Sequence, residues 1–420
     1  MFRKIKNLFN KYYHKDIQYF ISTGKYKLIY EIISFAFGFV ISILFANLTT
    51  SDFYGSYLFI LSIVSFFSFL TFSGILSSVY QSIANGYENF YISGIKKIFK
   101  LSFLSTFAIS GFALFYFSFI EENYVIFVSL LILSAFVPFS LRYRAYHYYL
   151  DGKQLFKRDF QYRLLILTLQ ESLLIILIFI IQNVILYFIV YNSLSLIINY
   201  LITKACIRNI TSAIEPEREK AAFNYGFFLT KISILALITS NINNVIIGLV
   251  FSPATLAFYI IGINLPNKLL NAIKPTFSTL LAKYSKEGTK IGKTFLGFTI
   301  IVSVLLFLGV ILILPTFIII FYPKYTSSIP FGILFSFILL FQPTALIFGY
   351  YFRGKADKKA IRFNDITSNL FKLVFLVPFT IFFGIYGLIL IDIFQMILRD
   401  ILYIISLRRR KNDKIKEKNH

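Results

Sequence analysis

The chain has 420 residues, of which 57% are hydrophobic and 15% are charged, and its formal net charge is +23. Because about a quarter of the residues of a soluble domain are charged, this composition excludes an ordinary soluble fold. The single cysteine, Cys206, excludes a disulfide framework and a multi-cysteine metal site.

Twelve apolar segments follow one another along the chain, and each approaches or exceeds the roughly 20 residues that a membrane-spanning helix needs. They are predicted at 28–47, 54–80, 100–120, 124–141, 164–182, 184–203, 223–250, 254–282, 294–320, 329–352, 366–383 and 386–406. The sequence therefore predicts an all-α integral membrane protein with twelve transmembrane helices.

Basic residues lie almost entirely on one side of these segments. With the N-terminus inside, the predicted cytoplasmic segments contain 37 of the 42 Lys and Arg residues, whereas the opposite loops contain only Lys324. Cationic loops resist translocation, so a multi-pass protein with both termini in the cytoplasm is predicted. Topology thus explains the net charge, and we expect no nucleic-acid partner.

The first external turn, LTTSDFYGSY (48–57), has a counterpart in SPATLAFY (252–259), at an offset of 202 residues. Thr50 corresponds to Ser252, and both are predicted to cap the helix that follows, with Pro253 at the first helical position. Tight turns between helices resemble one another, so the match alone leaves repetition open. Because each turn follows the first span of a six-span set, two parallel six-helix repeats are predicted.

This reading divides the chain near its middle. The five predicted parts are a cytoplasmic basic N-terminal segment (1–27), an N-terminal six-helix bundle (28–203), a cytoplasmic linker (204–222), a C-terminal six-helix bundle (223–406) and a cytoplasmic basic tail (407–420).

The stretch 48–86 contains a pattern formed by Leu48, Phe53, Gly55, Tyr57, Gly74 and Gln81. This pattern resembles that of the polysaccharide and O-antigen flippases of the multidrug/oligosaccharidyl-lipid/polysaccharide exporter superfamily. Tyr54 departs from the family pattern, because it is inserted between the Phe and the Gly. The stretch 224–288 resembles the seventh and eighth helices of the same family, but Asn243 and Asn244 stand where the family commonly has an Asp-Arg-like pair. That departure removes a charge, so proton coupling is not assigned to this position.

The resemblance implies a twelve-helix transporter with a central cavity between two bundles, in the bacterial cytoplasmic membrane. It implies that the cargo is an undecaprenyl-diphosphate-linked oligosaccharide, such as an O-antigen or capsule repeat unit, moved from the inner to the outer leaflet by alternating access. Membrane lipid and this lipid-linked glycan are the implied partners, and a glycan polymerase and chain-length machinery are candidate protein partners.

Charged side chains inside predicted spans are functional candidates, because a charge is costly at the centre of a bilayer. Four lysines are candidates for a cationic cavity that binds the diphosphate, with snorkelling or ion pairing as the alternative: Lys231, Lys268, Lys274 and Lys372. Lys268 lies roughly 20 Å inward from the turn before its helix, near the midplane. Three acids are candidates for cation coupling or for pairing with a lysine: Glu31, Glu171 and Asp392.

Asparagines form a predicted polar stripe on the seventh and eighth spans. Its members are Asn241, Asn243, Asn264, Asn267 and Asn271, the last three at helical i, i+3, i+7 spacing. Hydrogen bonds between helices and contacts with sugar hydroxyls are both open explanations.

Enzyme signatures are absent from the sequence, so we expect neither catalysis nor a cofactor or metal. There is no phosphate-binding Gly-Lys-Ser/Thr loop, and hence no expected intrinsic ATPase. The alternatives to a flippase are a cation-coupled multidrug exporter, which favours an acidic cavity, and a membrane glycan polymerase, which typically has a large external loop. The longest predicted external loop, 321–328, is short.

Overall fold

The computed structural model describes residues 26, 29–180, 183–207, 210, 215–278, 284, 291–355 and 357–418, which are helical apart from short turns and contain no strand. The helices are α1 (Ile29–Leu48), α2 (Ser51–Phe66), α3 (Gly74–Ala84), α4 (Phe90–Phe119), α5 (Tyr124–Arg144), α6 (Tyr146–Gly152), α7 (Phe156–Ile180), α8 (Val184–Ile207), α9 (Pro216–Ile246), α10 (Pro253–Ser278), α11 (Lys293–Phe321), α12 (Ile329–Ser336), α13 (Ile338–Gly354) and α14 (Lys358–Lys418). Short 3₁₀ segments follow α2 and α11, and a π-helical turn, Ile247–Phe251, continues α9.

Eleven helical segments of the described residues are long and apolar enough to cross a membrane. The last of them, Lys358–Arg410, contains two predicted spans, 366–383 and 386–406, which meet at Gly384. Gly384 has φ 58° and ψ −134°, a conformation that is strained for any residue with a Cβ atom, and the chain reverses there. The prediction of an all-α integral membrane protein is confirmed.

The second predicted span, 54–80, is wrong as one continuous helix. α2 ends at Phe66, a 3₁₀ segment covers Phe67–Thr71, and α3 begins only at Gly74. Between them Phe72 has φ 55°, and its ring packs edge-on against Phe227 of α9 at 5.8 Å. Packing against a helix distant in the sequence therefore sets this break.

The described residues divide into two compact units. The first contains α1, α3–α8 and α9 as far as Lys231, and the second contains α2, the remainder of α9 and α10–α14. In the second unit α2 packs closely against α10. The predicted boundary between two six-helix bundles at 204–222 stays a prediction.

Matching hydrogen bonds start α2 and α10. The hydroxyl of Thr50 accepts a bond from the Phe53 amide at 3.2 Å, and the hydroxyl of Ser252 accepts one from the Thr255 amide at 3.0 Å. Both donors and both acceptors are related by the offset of 202 residues, so the predicted caps are confirmed at corresponding positions.

The two helix starts also touch through their backbones. A Cβ atom placed on Gly55 would lie 2.0 Å from the carbonyl oxygen of Pro253 and 2.7 Å from the amide nitrogen of Ala254. Only a residue without a side chain fits at this contact, because the neighbouring atoms belong to the backbone and not to a flexible side chain.

We expect Gly55→Ala to lower the free energy of unfolding by about 1–3 kcal/mol, because the added methyl forces α2 and α10 apart. Thermal unfolding of the purified chain, followed by circular dichroism in detergent, measures the change. Gly111→Ala in α4 is the matched control, since a Cβ there meets nothing within 4 Å. That control should be neutral or slightly stabilising, and equal melting temperatures for the two variants would contradict the expectation.

Candidate functional site

The second half of α10 carries a polar stripe that contains lysines as well as three asparagines of the predicted stripe. We define the stripe of α10 as Asn264, Asn267, Lys268, Asn271 and Lys274. Asn264, Lys268 and Asn271 follow i, i+4, i+7 spacing and share one face of the helix. The first three members in sequence are half-buried, whereas Asn271 and Lys274 are exposed. Exposure of the stripe therefore increases toward the end of α10.

Lys268 lies at the middle of the stripe. At about 1.5 Å per residue it is roughly 22 Å along α10 from Pro253. The residue as a whole is half-buried, but its amine nitrogen is fully buried. The neighbouring Lys274 amine donates a hydrogen bond to the Asn271 side-chain oxygen at 2.7 Å, so two predicted members are joined.

Lys372 and Asp392, both predicted candidates, form a buried ion pair in the second unit. The Lys372 amine lies 2.6 Å from a carboxylate oxygen of Asp392 and donates to the carbonyl oxygen of Thr239 at 2.7 Å. Lys372 is only 4% exposed. Pairing, one of the alternatives for each residue, is thus observed. Cargo binding by Lys372 and cation coupling by Asp392 stay predictions.

Asn243 of α9 joins the same ion pair. Its side-chain nitrogen donates to the second carboxylate oxygen of Asp392 at 2.8 Å. This is a bond between helices, the first of the two explanations for the predicted stripe. Asn241, two residues earlier, donates to the Leu237 carbonyl oxygen of its own helix at 3.2 Å.

The ion pair begins a series of polar contacts, here called the polar ladder, between the two parts of α14. Each contact joins a residue before Gly384 to one after it, and the pairs follow one another down an antiparallel hairpin. In order from Gly384 they are Lys372–Asp392 at 2.6 Å, Asn369–Gln395 at 3.0 Å, Asp365–Arg399 at 2.7 Å and Asn364–Ser406 at 3.3 Å. Thr239 adds a further bond, because its hydroxyl lies 2.8 Å from the Asn369 side-chain oxygen.

The remaining predicted candidates are not members of this ladder. Lys231 is exposed on α9, and Glu31 is exposed on α1. Glu171 of α7 is half-buried, and the hydroxyl of Tyr191 on α8 hydrogen-bonds to it. Both alternatives for Glu171 therefore remain predictions.

Three acids that the structure buries or pairs were not among the predicted candidates. Asp159 is 3% exposed, with a carboxylate oxygen 2.9 Å from the Arg163 side-chain nitrogen, and its i, i+4 spacing was a usable signal. Asp365 pairs with Arg399, and Asp400 accepts a hydrogen bond from the Thr344 hydroxyl at 2.5 Å. No local pattern signals these two, because their partners are distant in the sequence.

Chemically, the stripe of α10 supplies two ammonium groups and three amides to one region. Ammonium groups bind anionic oxygens, and amides bind hydroxyls as donors and as acceptors. Such a set suits a ligand that combines phosphate with sugar and does not suit an organic cation.

The family model described as "Polysaccharide biosynthesis protein" matches residues 43–286 of the chain. No match is found among curated proteins. The matched range contains both corresponding turns, 48–57 and 252–259, and the whole stripe of α10.

Solved transporter structures share the fold. An inward-facing multidrug resistance MATE-family transporter of the MOP superfamily is 12% identical, with a TM-score of 0.64, over 93% of this chain and 99% of the other. A MOP-superfamily transporter from Pyrococcus furiosus, for which a reversed polarity of the binding pocket is described, is 14% identical, with a TM-score of 0.61, over 93% and 96%. The eukaryotic MATE transporter AtDTX14 is 13% identical, with a TM-score of 0.66, over 94% and 95%.

Proposed function

Since this chain belongs to the polysaccharide biosynthesis protein family and has the fold of MOP-superfamily transporters, we propose that it is a lipid-linked oligosaccharide flippase. It moves an undecaprenyl-diphosphate-linked repeat unit of a surface polysaccharide from the inner to the outer leaflet by alternating access. The membrane is the bacterial cytoplasmic membrane, and both termini lie in the cytoplasm, in keeping with the one-sided distribution of Lys and Arg.

The polar stripe of α10 carries this proposal. A diphosphate crossing hydrocarbon loses its hydration, and this costs far more than one hydrogen bond can return unless cations compensate the charge. Lys268, with its buried amine deep along α10, offers such compensation, and Lys274 offers it nearer the end of the helix. The amides between them can bond to the sugars that follow the diphosphate.

Export of organic cations is the second candidate function, because MATE-family transporters share the fold. Recognition of a cation would use a carboxylate, but Asp392 in the second unit is already neutralised by Lys372 at 2.6 Å. Glu171 in the first unit is one half-buried acid that would serve this second function.

Deleting the gene should remove the surface glycan and leave the lipid-linked repeat unit on the inner leaflet, and this chain supplied on a plasmid should restore both. Labelled lectin on intact cells measures the glycan, and lipid extraction measures the intermediate. Resistance to cationic dyes, measured in the same strains, should stay constant. Normal surface glycan in the deletion strain, together with increased dye sensitivity, would contradict the flippase function and support export of organic cations.

A further inference from the structure

A crevice of about 680 Å³ opens in the first unit where the start of α4 meets the ends of α5 and α8. A volume in this range accommodates a small-molecule ligand or a lipid headgroup. Its lining combines cations, tyrosines and aliphatic side chains: Tyr91, Ile95, Lys96, Arg142, Tyr143, Tyr200, Leu201 and Lys204. All three helix ends belong to segments whose basic residues predict a cytoplasmic position.

No acidic residue lines this crevice among the residues that the structure describes. Within the part of the chain that the structure describes, none of Lys96, Arg142 and Lys204 forms an ion pair with a carboxylate, and none of the lining residues is acidic. The Arg142 guanidinium is held over the ring of Phe99, 5.1 Å from its centre. It is therefore oriented before any ligand arrives.

Other contacts fix the walls of the crevice. The Thr203 hydroxyl donates to the carbonyl oxygen of Tyr143 at 2.6 Å, and the rings of Tyr143 and Tyr200 meet edge-on at 5.2 Å. These contacts join α5 to α8. Tyr91 is 1% exposed, and its hydroxyl has no hydrogen-bond partner among the described residues, so a buried donor remains for a ligand.

Apolar tracks lead away from the cations along two of the helices. On α4, Lys96 is followed by the exposed Phe103 and Phe107 at i+7 and i+11, on one face. On α8, Lys204 is preceded at i−3 and i−7 by Leu201 and Ile197, which are 57% and 56% exposed. The order of charge and hydrocarbon on both helices matches a headgroup at the membrane surface with acyl chains extending inward.

We propose that this crevice binds the phosphate of an anionic phospholipid from the inner leaflet. Basic pockets between helices on the cytoplasmic side bind anionic headgroups, and each Lys or Arg near the surface strengthens such binding about fivefold. The phosphate lies among Lys96, Arg142 and Lys204, and its acyl chains follow the tracks on α4 and α8. The test of this site reads lipid binding alone and needs no transport of cargo.

The chain has no tryptophan, so one introduced tryptophan is a unique reporter. Leu201→Trp places it on the crevice wall, and Phe107→Trp places it on the lipid-facing surface of α4. Both full-length chains are reconstituted in phosphatidylcholine vesicles that contain brominated phosphatidylglycerol or brominated phosphatidylcholine, with bromine near the headgroup end of the acyl chains. Quenching of tryptophan fluorescence then reports which lipid occupies each position.

We expect phosphatidylglycerol to quench Leu201→Trp at least tenfold more effectively than phosphatidylcholine, and Phe107→Trp equally with either lipid. Lys96→Gln, Arg142→Gln and Lys204→Gln together should abolish the preference, and Arg142→Gln alone should reduce it about fivefold. Lys97→Gln, which removes a neighbouring exposed cation outside the lining, should leave it unchanged. An unchanged preference in Arg142→Gln, or an equal preference at Phe107→Trp, would overturn the proposal. Inorganic phosphate that removes the preference at millimolar concentration would also overturn it, since the site would then take free phosphate.

Discussion

Cells that depend on a Lys268→Ala variant are expected to lose their surface glycan although the protein is inserted at normal abundance. The amine of Lys268 is buried on α10, where a diphosphate entering the bilayer would need a counter-charge. A charge-assisted hydrogen bond contributes about 1.5–3 kcal/mol, so its loss from the transition state slows transport roughly 10- to 150-fold. Lectin binding to whole cells measures the export, and immunoblotting of membranes measures the abundance.

Two further variants make this test specific. Lys268→Arg retains the charge and should retain most of the export. Lys274→Ala removes an exposed lysine whose amine already bonds to Asn271, and it should have a smaller effect. Wild-type amounts of glycan in Lys268→Ala would exclude Lys268 from the path of the cargo.

Removing one partner of the Lys372–Asp392 ion pair is expected to lower the free energy of unfolding by about 3–5 kcal/mol. Lys372→Ala leaves the Asp392 carboxylate uncompensated and removes the donor to the Thr239 carbonyl oxygen, whereas Asp392→Asn leaves the buried Lys372 ammonium without its counter-charge. Unfolding of the purified protein in mixed detergent micelles gives the free energy. The loss should be similar for the two variants, since either one breaks the same pair.

The double variant Lys372→Met/Asp392→Leu is the informative control. It removes both charges and fills the volume with apolar side chains, so it should recover most of the lost stability. Normal export by this stable double variant would assign the pair a structural role, whereas a stable but inactive one would assign it a role in coupling. Single variants as stable as the wild type would show that the pair does not hold the hairpin together.

Most of the fold was predictable because hydropathy and charge act locally. A membrane-spanning helix needs about 20 apolar residues, and cytoplasmic loops are enriched in Lys and Arg. The caps at Thr50 and Ser252 were readable for the same reason, since each involves residues three apart. The break at Phe72 was not, because it depends on contact with Phe227, more than 150 residues away.

Individual residues of the candidate site were predictable from the sequence, but the contacts between them were not. Lys372, Asp392 and Asn243 stand out as polar residues inside apolar segments, but nothing in their spacing states that the three side chains meet. Asp400 and Arg399 were missed for a different reason. They lie at the cytoplasmic end of the predicted last span, 386–406, and Arg399 was counted with the cytoplasmic cations, whereas the helix continues to Lys418.

The polar ladder has a consequence for the biogenesis of the protein. The two parts of α14 leave the ribosome one after the other, and a Lys, Arg or Asp at the centre of a lone helix costs about 2.5–3.5 kcal/mol to insert. The matching partner of each ladder residue lies on the other arm of the hairpin, across Gly384. We therefore expect the two arms to partition into the bilayer more favourably together than singly, so that the last two spans insert as one unit.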